Sequence, residues 1–341
     1  MINVRVTNWR CIEKAEFELS NINVFIGGNS TGKSSLAYAL YFASKSGVYD
    51  PELLLTQLYG YNFNMIARRV EDKPQFPISI LVDGSELSVK PIEGRKKESF
   101  DIVRPSKSPW TDEYLLPSRR LDYFHIILFL RKMVRPEITD QMPAIFLVEF
   151  LKRVPILPPF GMFISDYLRG LTGIRVGPVS GKVPEVGSYI VHVLPYISLI
   201  DVVFEDAYVK LRLPADLAPD GLLDFITFDT MTEKIPQKSL VVIEEPEIHK
   251  NPLKVVEFTK NIVERALERR LTLIITTHSD IPLITMAKLV MKEELKAEDI
   301  KIYYFKRSKE SPWTKISEIK IYSDGTLQSL PDSEELIAQL F

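Results

Sequence analysis

A glycine-rich octapeptide at residues 27–34 constrains the fold more than any other feature of this sequence. It reads Gly-Gly-Asn-Ser-Thr-Gly-Lys-Ser and directly follows the apolar run 22–26, which has the length and β-branched character of a buried strand. Apolar residues then recur at helical spacing from 36 to 43, and Gly47 is suited to end that helix. A strand that passes through a glycine loop into a helix predicts a chain of the α/β class.

The octapeptide fits the pattern G-x-x-x-x-G-K-[ST] at every fixed position. Glycines let successive backbone N–H groups turn toward an anion, and the helix that follows adds the positive end of its dipole. Lys33 would bind the β- and γ-phosphates of a nucleotide, and Ser34 would ligate Mg²⁺. The alternative is a glycine-rich turn with a chance lysine, and the flanking strand and helix argue against it. The predicted nucleotide-binding residues are Gly27, Gly28, Asn29, Ser30, Thr31, Gly32, Lys33, Ser34 and Ser35.

Adjacent acids follow a second candidate for a buried strand. Residues 240–243 are aliphatic and lead into Glu244, Glu245, Pro246 and Glu247. Ligands of parallel α/β sheets lie at the carboxyl ends of the strands, which would put these acids beside the glycine loop. Glu244 would hold Mg²⁺ or its water, and Glu245 would orient the water that attacks the γ-phosphate. Glu247 could instead help to open the following helix, and a solvated acidic turn is the alternative for the whole group.

A histidine stands at the end of a third buried run. Residues 271–277 are strand-like and end at His278, which could donate a hydrogen bond to the γ-phosphate or to the attacking water. A lone histidine is more often structural, but this one follows the glycine loop and the acids in chain order. The predicted catalytic residues are therefore Lys33, Glu245 and His278, and the predicted metal ligands are Ser34 and Glu244.

The predicted organisation is an α/β unit interrupted by an insertion. Strands alternate with helices after residue 240, and residues 4–19 and 78–89 form antiparallel pairs, the second around Asp83-Gly84. Lys33 and Glu244 lie 211 residues apart, which leaves room for an inserted lobe. We assign 1–120 to the first part of the unit and 201–341 to its second part. Residues 121–200 would be a helical insertion, with helices near 124–133 and 142–154; strands return at 196–204 and 207–213.

Composition and charge restrict the class of function. The formal net charge is −2, so the chain lacks the basic field of a general nucleic-acid binder. The basic, aromatic-rich stretch 104–135 is either a nucleic-acid or partner surface or, more plainly, a set of solvated helix faces. Four histidines and one cysteine, Cys11, give no zinc-ligand spacing and exclude an internal disulfide. Without a signal peptide or a membrane-spanning apolar run, a cytoplasmic protein with no membrane contact is expected.

Together these motifs resemble those of the SMC/RecF-like branch of ABC-type ATPases, and within it the small OLD-like and AAA-like ATP-binding proteins. The segments that carry the resemblance are Asn8-Trp9-Arg10, residues 23–35, Leu115-Leu116-Pro117-Ser118-Arg119, Glu244-Glu245-Pro246-Glu247-Ile248-His249 with Asn251-Pro252, and Thr277-His278-Ser279. They cover the first 120 residues and the chain from about residue 200 onward. The resemblance implies a P-loop NTPase fold of the ABC-type head, with a mixed, largely parallel sheet, N-terminal antiparallel strands and a helical insertion.

The resemblance also implies ATP and Mg²⁺ as ligands, with each ATP bound between two protomers and covered by a serine- and glycine-rich loop of the partner. The corresponding segment is 217–221, where Gly221 is present but Pro219-Asp220 replaces the serine. A carboxylate there would repel the γ-phosphate of the other protomer, which disfavours the usual nucleotide-dependent homodimer and fast hydrolysis. Glu244 stands where the family usually has aspartate, a milder departure because glutamate can reach Mg²⁺ through water.

Other residues and motifs refine the expectation. Arg10 would contact phosphate or only pair with Glu13, and Trp9 would lie in the core or beside the adenine. The sequence lacks Asn-Lys-x-Asp, which favours adenine over guanine, and it lacks the Asp-x-Asp pair of a Toprim nuclease.

The sequence therefore predicts an ATPase that hydrolyses MgATP to ADP and phosphate and couples this to conformational change or dimerisation, in DNA repair or anti-phage defence. The first alternative is an ATP-gated module that binds a nuclease, a toxin or DNA and barely hydrolyses. The second is a small-molecule kinase, which the adjacent glutamates disfavour because they suit water as the nucleophile.

Overall fold

A computed structural model describes most of the chain. The described residues are 1–94, 99–122, 159, 162–163, 166–167, 179–183, 187–194, 199–206, 210–214, 218–233 and 235–331. None of the helices within these ranges is long and apolar enough to cross a membrane.

The described elements alternate between strands and helices in the last third, as predicted. In chain order the strands are β1 (Ile2–Trp9), β2 (Ile12–Leu19), β3 (Ile22–Gly27), β4 (Arg69–Val70), β5 (Lys73–Pro74), β6 (Ile78–Val82), β7 (Ser85–Pro91), β8 (Phe100–Val103), β9 (Glu113–Leu116), β10 (Val179–Val183), β11 (Gly187–Leu194), β12 (Leu199–Asp206), β13 (Arg212–Pro214), β14 (Leu240–Glu244), β15 (Thr272–Thr277), β16 (Ile300–Lys306) and β17 (Lys315–Ile319). The helices are α1 (Lys33–Lys45), α2 (Pro51–Tyr59), α3 (Phe63–Ile66), α4 (Asp220–Thr232), α5 (Pro252–Arg269) and α6 (Ile281–Met291).

A six-stranded sheet forms the centre of the α/β unit, with strand order β17-β16-β3-β15-β14-β9. Its strands run parallel except β17, which pairs antiparallel with β16 at one edge. β14 and β15 are rich in β-branched residues and buried throughout, as expected of strands covered on both faces. The prediction of a mixed, largely parallel sheet is confirmed. Because β3, β15 and β14 are parallel neighbours, their carboxyl ends lie at one edge of the sheet.

Helices cover both faces of this central sheet. α1 lies between it and the N-terminal strands, where Leu40 packs in one apolar cluster with Val242 of β14 and Ile80 of β6. α4, α5 and α6 cover the opposite face, and the cluster there joins Ile226 of α4 to Ile275 of β15. The buried face of α1 therefore fixes the start of that helix relative to both sheets.

The N-terminal strands form an antiparallel sheet in the order β2-β1-β6-β7-β8. β1 and β2 are joined by a tight turn at Arg10-Cys11, and β6 and β7 by the predicted turn at Asp83-Gly84. Trp9 is fully buried, with its ring 5.3 Å from that of Phe42 and 6.0 Å from that of Tyr59. Of its two predicted places, Trp9 therefore occupies the core.

The described residues of the predicted insertion, 121–200, include β10, β11 and the start of β12 as well as helical residues at 162–163 and 166–167. β10, β11, β12 and β13 form an antiparallel sheet, of which the sequence predicted the last two. The predicted helices near 124–133 and 142–154 lie outside the described residues. Asp166 ties this region to α1, because its carboxylate accepts a hydrogen bond from Tyr41 at 2.6 Å and pairs with buried Lys45 at 3.0 Å.

Candidate functional site

The glycine loop joins β3 to α1, and two of its glycines are sterically required. Gly27 has φ 148°, and a Cβ atom there would overlap the carbonyl oxygen of Phe305 on β16. Gly32 has φ 107°, and its Cβ would lie 2.5 Å from Oγ1 of Thr314. Both positions combine a left-handed backbone with a close approach, so residues with side chains would displace the loop.

The connection between β16 and β17 holds the loop from outside. Nη1 of Arg307 donates a hydrogen bond to the carbonyl oxygen of Ser30 at 2.7 Å, and Oγ1 of Thr314 donates to that of Thr31 at 2.8 Å. These bonds occupy carbonyl oxygens of the loop. Holding carbonyls outward favours a conformation in which N–H groups are available to an anion.

An open cleft of about 900 Å³ lies over the loop, a size suited to a nucleotide. Most of the predicted site residues line it. The lining residues are Arg10, Cys11, Asn29, Ser30, Thr31, Gly32, Lys33, Ser34, Ser35, Met65, Ala67, Arg69, Glu245, His278, Arg307 and Trp313. Gly27, Gly28 and Glu244 are not among the lining residues.

Lys33 is nearly closed off from solvent, with 5% of its surface exposed. Its ammonium donates hydrogen bonds to the carbonyl oxygens of Gly27 and Gly28, both at 2.8 Å, and lies 3.3 Å from Nε2 of His278. Burial lowers the pKa of Lys33 to about 8, although the nearby carboxylates, Glu245 foremost, partly oppose the shift. An anion bound beside the ammonium would therefore stabilise its charged form.

Glu245 and His278 meet across the cleft from two strand ends. Oε1 of Glu245 lies 3.2 Å from Nε2 of His278, and both side chains are about one-third exposed. Glu245 has a left-handed backbone with φ 46°, fixed by its N–H bond to the carbonyl oxygen of Thr276 at 2.8 Å. A non-glycine residue held in this region at a ligand cleft is typical of a functional position.

Glu247 holds the turn that carries His278 and is not part of the helix that follows. Its Oε1 accepts hydrogen bonds from Oγ1 of Thr277 at 2.7 Å and from the backbone N–H of His278 at 2.9 Å. α5 begins only at Pro252, with Asn251 as its N-cap. The prediction that Glu247 could help to open that helix is therefore wrong, and the residue braces the turn that carries His278.

Glu244 is buried behind the cleft and hydrogen-bonded. Its Oε2 accepts from the phenol of Tyr38 at 2.6 Å and from the backbone N–H of Ser118 at 3.1 Å. Tyr38 lies one helical turn after Ser34, so the phenol could have been found by helical spacing, although its partner could not. These two bonds fix one carboxylate oxygen and orient the other.

A magnesium ion fits the donor set at this edge. Mg²⁺ in nucleotide sites keeps several waters and takes one or two protein ligands beside the phosphates, so a full cage of acids is not required. The hydroxyl of Ser34 lines the cleft, and the carboxylate of Glu244 lies behind it with one oxygen already oriented. Within the described ranges, no group of three or more His, Cys, Asp or Glu side chains forms a protein-only metal site.

A buried ion network, which the sequence analysis missed, supports the acid-bearing strand end. Arg120 forms two hydrogen bonds to the carboxylate of Asp224 on α4, and Lys250 contacts the same carboxylate. Arg120 also donates to the carbonyl oxygens of Glu244 at 2.7 Å and Glu245 at 3.3 Å. The guanidinium thus holds the backbone of both acids against α4. Because Arg120 is buried, this residue fits neither interpretation of stretch 104–135, a basic surface or solvated helix faces.

The first turn places Arg10 at the cleft without the predicted ion pair. The guanidinium of Arg10 lies 5.0 Å from the ring centroid of Tyr59, and the side chain lines the cleft. Glu13 pairs instead with Arg68 at 3.0 Å. The predicted pairing with Glu13 is therefore wrong, and contact of Arg10 with phosphate stays a prediction.

The segment predicted to cover a partner's nucleotide is a helix start. Asp220 is the first residue of α4 and Pro219 precedes it, where the sequence suggested only a loop. The Asp220 carboxylate is about half exposed and lies 3.8 Å from Nδ1 of His249. The positive end of the helix dipole attracts negative charge. The carboxylate of Asp220 in the first turn takes up this interaction, which a phosphate would otherwise make.

Comparison with known proteins agrees with this geometry. The family model described as AAA ATPase domain matches residues 1–115, about a third of the chain. A search of curated proteins finds no match. Among solved structures, an SMC head bound to the C-terminal winged-helix domain of ScpA is 13% identical, with a TM-score of 0.55 over 94% of this chain and 98% of that one.

Two further SMC heads are similar. One, with an extended coiled coil and bound to the C-terminal domain of ScpA derived from Pyrococcus furiosus, is 12% identical with a TM-score of 0.50 over the whole of both chains. The SMC head domain from Thermotoga maritima is 12% identical, with a TM-score of 0.44 over 94% of this chain and 98% of that one. Sequence identities this low support a shared fold and no shared function. The chain has the P-loop NTPase fold of SMC heads.

Proposed function

We propose that the protein binds MgATP in the cleft over residues 27–35 and hydrolyses it to ADP and phosphate. One observation carries this proposal: Lys33 at the start of α1 meets Glu245 and His278, which follow two neighbouring strands, with contacts of 3.2 and 3.3 Å between the side chains. A lysine, a carboxylate and a histidine at one glycine loop supply a phosphate clamp, an acceptor for water and a hydrogen-bond donor. Phosphoryl transfer to water needs those three functions.

Each side chain has a defined part in the proposed reaction. The ammonium of Lys33 exchanges its bonds to loop carbonyls for the β- and γ-phosphate oxygens. The carboxylate of Glu245 accepts a hydrogen bond from the attacking water and orients it in line with the γ-phosphate. His278 donates from a ring N–H to the γ-phosphate, and Glu247 keeps the histidine turn in place. Arg10 adds positive charge at the mouth of the cleft.

Mg²⁺, when bound with the nucleotide, would neutralise charge on the β- and γ-phosphates. Ser34 and Glu244 are the residues proposed to hold it, with Tyr38 keeping the carboxylate of Glu244 in one orientation. Burial of that carboxylate behind the cleft suits a contact through water.

Two substitutions test the assignment. Lys33→Ala should lower MgATP affinity by at least a hundredfold in calorimetry, because a buried charge-assisted contact to phosphate is lost. Glu245→Gln should bind MgATP like the wild type, yet release phosphate at least about a hundredfold more slowly, in keeping with the loss of general-base assistance.

Exposed residues of α5 provide the matched controls Lys260→Ala and Glu264→Gln, which should leave both the MgATP affinity and the rate of phosphate release unchanged. Wild-type affinity and turnover in Lys33→Ala would contradict the proposal, and unchanged turnover in Glu245→Gln would remove that residue from the mechanism.

A second candidate function is favoured by Asp220. An acid at the first residue of α4 weakens the contact that would complete a partner's site, so ATP could act as a switch that is bound and barely hydrolysed. The similar SMC heads were crystallised with domains of ScpA, and by analogy we propose that nucleotide binding here changes association with a protein partner. DNA repair or anti-phage defence, in a reducing cytoplasm, would be the setting.

Single-turnover measurement separates the two candidates. With the protein in excess over radiolabelled ATP, a phosphate-release rate above that of the Glu245→Gln variant supports the hydrolase. A rate equal to that of the variant and to the protein-free background supports the switch.

A further inference from the structure

Part of the cleft is not used by the proposed phosphate chemistry. The glycine loop, Glu245 and His278 supply the phosphate chemistry, whereas Trp313, Met65 and Ala67 also line the cleft and carry no group that would bind phosphate. An aromatic ring beside a phosphate-binding loop suits a ligand that has a flat, apolar portion next to its phosphates.

The Trp313 indole is held in place from behind. The guanidinium of Arg68 lies 4.7 Å from its ring centroid, and Arg68 is itself fixed by Nε donating to Oδ1 of Asn8 at 3.0 Å and by the ion pair with Glu13. Trp313 lines the cleft but Arg68 does not. The arginine therefore supports one side of the indole and leaves the other toward the cleft.

The ring is also tied to the phosphate loop through the chain. Thr314, the next residue, donates to the carbonyl oxygen of Thr31 at 2.8 Å, and its backbone N–H donates to the carbonyl oxygen of Cys11 at 2.9 Å. Trp313 is only partly exposed and so has little freedom to leave this position. A ligand whose phosphates occupy the loop would have its remaining part beside a fixed aromatic surface.

We propose that Trp313 is the platform on which the nucleobase of the bound nucleotide stacks. The inference rests on the proposed function, because it places the base of the same nucleotide whose phosphates occupy residues 27–35. Every base has a π-face, so an indole can bind it without reading its edge, and the positive charge of Arg68 behind the ring strengthens the stack. The larger surface of a purine makes it the better ligand. Met65 and Ala67 extend the apolar wall beside the ring.

The test compares ATP with inorganic triphosphate, which lacks the base. Calorimetry in the presence of Mg²⁺ would measure both ligands on the wild type, Trp313→Ala and Trp313→Phe. Trp313→Ala should weaken ATP binding by about tenfold or more, whereas triphosphate binding should stay within about twofold. Trp313→Phe keeps a ring and should retain most of the ATP affinity. Tyr322→Ala, which truncates an exposed aromatic side chain outside this cleft, is the matched control and should change neither ligand.

Fluorescence of the unaltered protein gives a second measurement. Of the three tryptophans, Trp9 and Trp110 are 0% and 5% exposed, so a change in emission on adding ATP should arise from Trp313. That change should be absent with triphosphate and absent in Trp313→Phe.

The outcomes separate this inference from the proposed function. If the wild type binds neither ATP nor triphosphate, both proposals are wrong. If the wild type binds ATP and Trp313→Ala binds it equally well, or if both ligands weaken in parallel, the platform alone is overturned. An ATP-induced emission change that persists in Trp313→Phe has the same meaning.

Discussion

Lys33 carries its charge in a nearly closed environment and satisfies it with two main-chain carbonyls. Carbonyl dipoles compensate a buried ammonium only in part, which is why burial dominates and the pKa of Lys33 falls to about 8. A triphosphate would add full negative charges at the same place and raise that pKa again. Nucleotide binding and protonation of Lys33 are therefore linked.

Affinity for MgATP should fall as the pH rises through 8. Above that value the free protein has lost the Lys33 proton and must regain it to bind, so affinity should drop by about tenfold per pH unit until the pKa of the bound state is reached. Calorimetry at pH 7, 8 and 9, in two buffers of different ionisation enthalpy, would detect proton uptake at the two higher values. Lys33→Ala should bind weakly and show no uptake; proton-neutral binding by the wild type at pH 9 would contradict the linkage.

Residues of the site differ in how far the sequence reveals them. Lys33 lies in a glycine loop motif that follows a recognisable strand, and Glu245 and His278 each follow a strand run directly, so their chemistry can be predicted from short segments. Trp313 cannot be found in this way, because its place depends on Thr314 bonding to Thr31, 283 positions earlier in the chain. The same holds for Tyr38, whose partner Glu244 is 206 positions away.

Among the elements, α4 is joined to the acid-bearing strand end by buried charges. Burial alone would raise the pKa of Asp224, but the charges and hydrogen bonds of Arg120 and Lys250 outweigh it, so this pKa lies below its ordinary value of 3.8. An acid whose pKa is lowered by folding contributes stability that is present above about pH 4 and lost as the pH falls further. Through Arg120, the same contact joins α4 to the backbone carbonyls of Glu244 and Glu245.

Asp224→Asn should lower the free energy of unfolding by about 3–5 kcal/mol, because it leaves Arg120 and Lys250 buried without a counter-charge. Asp229→Asn is the matched control on the same helix. Its carboxylate pairs with Arg265 at 2.7 Å but both side chains are more than one-fifth exposed, so the loss should be about 0–1 kcal/mol. Denaturant titration at pH 7 followed by circular dichroism compares the two; equal losses would show that the network adds no more than a surface pair.

The elements predicted from the sequence are those with a clear period. α5 has one polar face and is one of the helices predicted to alternate with strands after residue 240, whereas α4 is buried on several sides and shows no such face. Threonine also favours conformations other than the helix. In α4 the hydroxyls of Thr227 and Thr230 donate hydrogen bonds to the carbonyl oxygens four residues earlier, at 2.8 and 2.6 Å, so these side chains are satisfied inside the helix. β9 has four buried residues without alternation and is defined by its pairing with β14.

At the scale of the whole molecule, we predict that association of two copies depends on the exposed start of α4. The resemblance to ABC-type heads implies a serine where this chain has Pro219-Asp220. With the acid present, the two γ-phosphate sites of such a dimer would each face a negative charge.

Asp220→Ser should therefore promote association in the presence of MgATP. In the Glu245→Gln background, which keeps ATP intact, light scattering after size exclusion should show mainly monomer, and the added Asp220→Ser substitution should shift it toward dimer by at least severalfold in apparent affinity. His249→Ala, which removes the neighbour of Asp220 but leaves the acid, should not have this effect. A Glu245→Gln protein that already dimerises fully with ATP would refute the repulsion.

The side chains that hold the glycine loop in place come from far along the chain. Arg307 follows its partner Ser30 by 277 positions, and Thr314 follows its partner Thr31 by 283 positions. Both strands that flank β3 are likewise made late, at Thr272–Thr277 and Ile300–Lys306. On the ribosome, the octapeptide therefore emerges well before the segments that hold it in place. We expect an N-terminal fragment that lacks Arg307 and Thr314 to leave the loop without these hydrogen bonds and unable to hold a nucleotide.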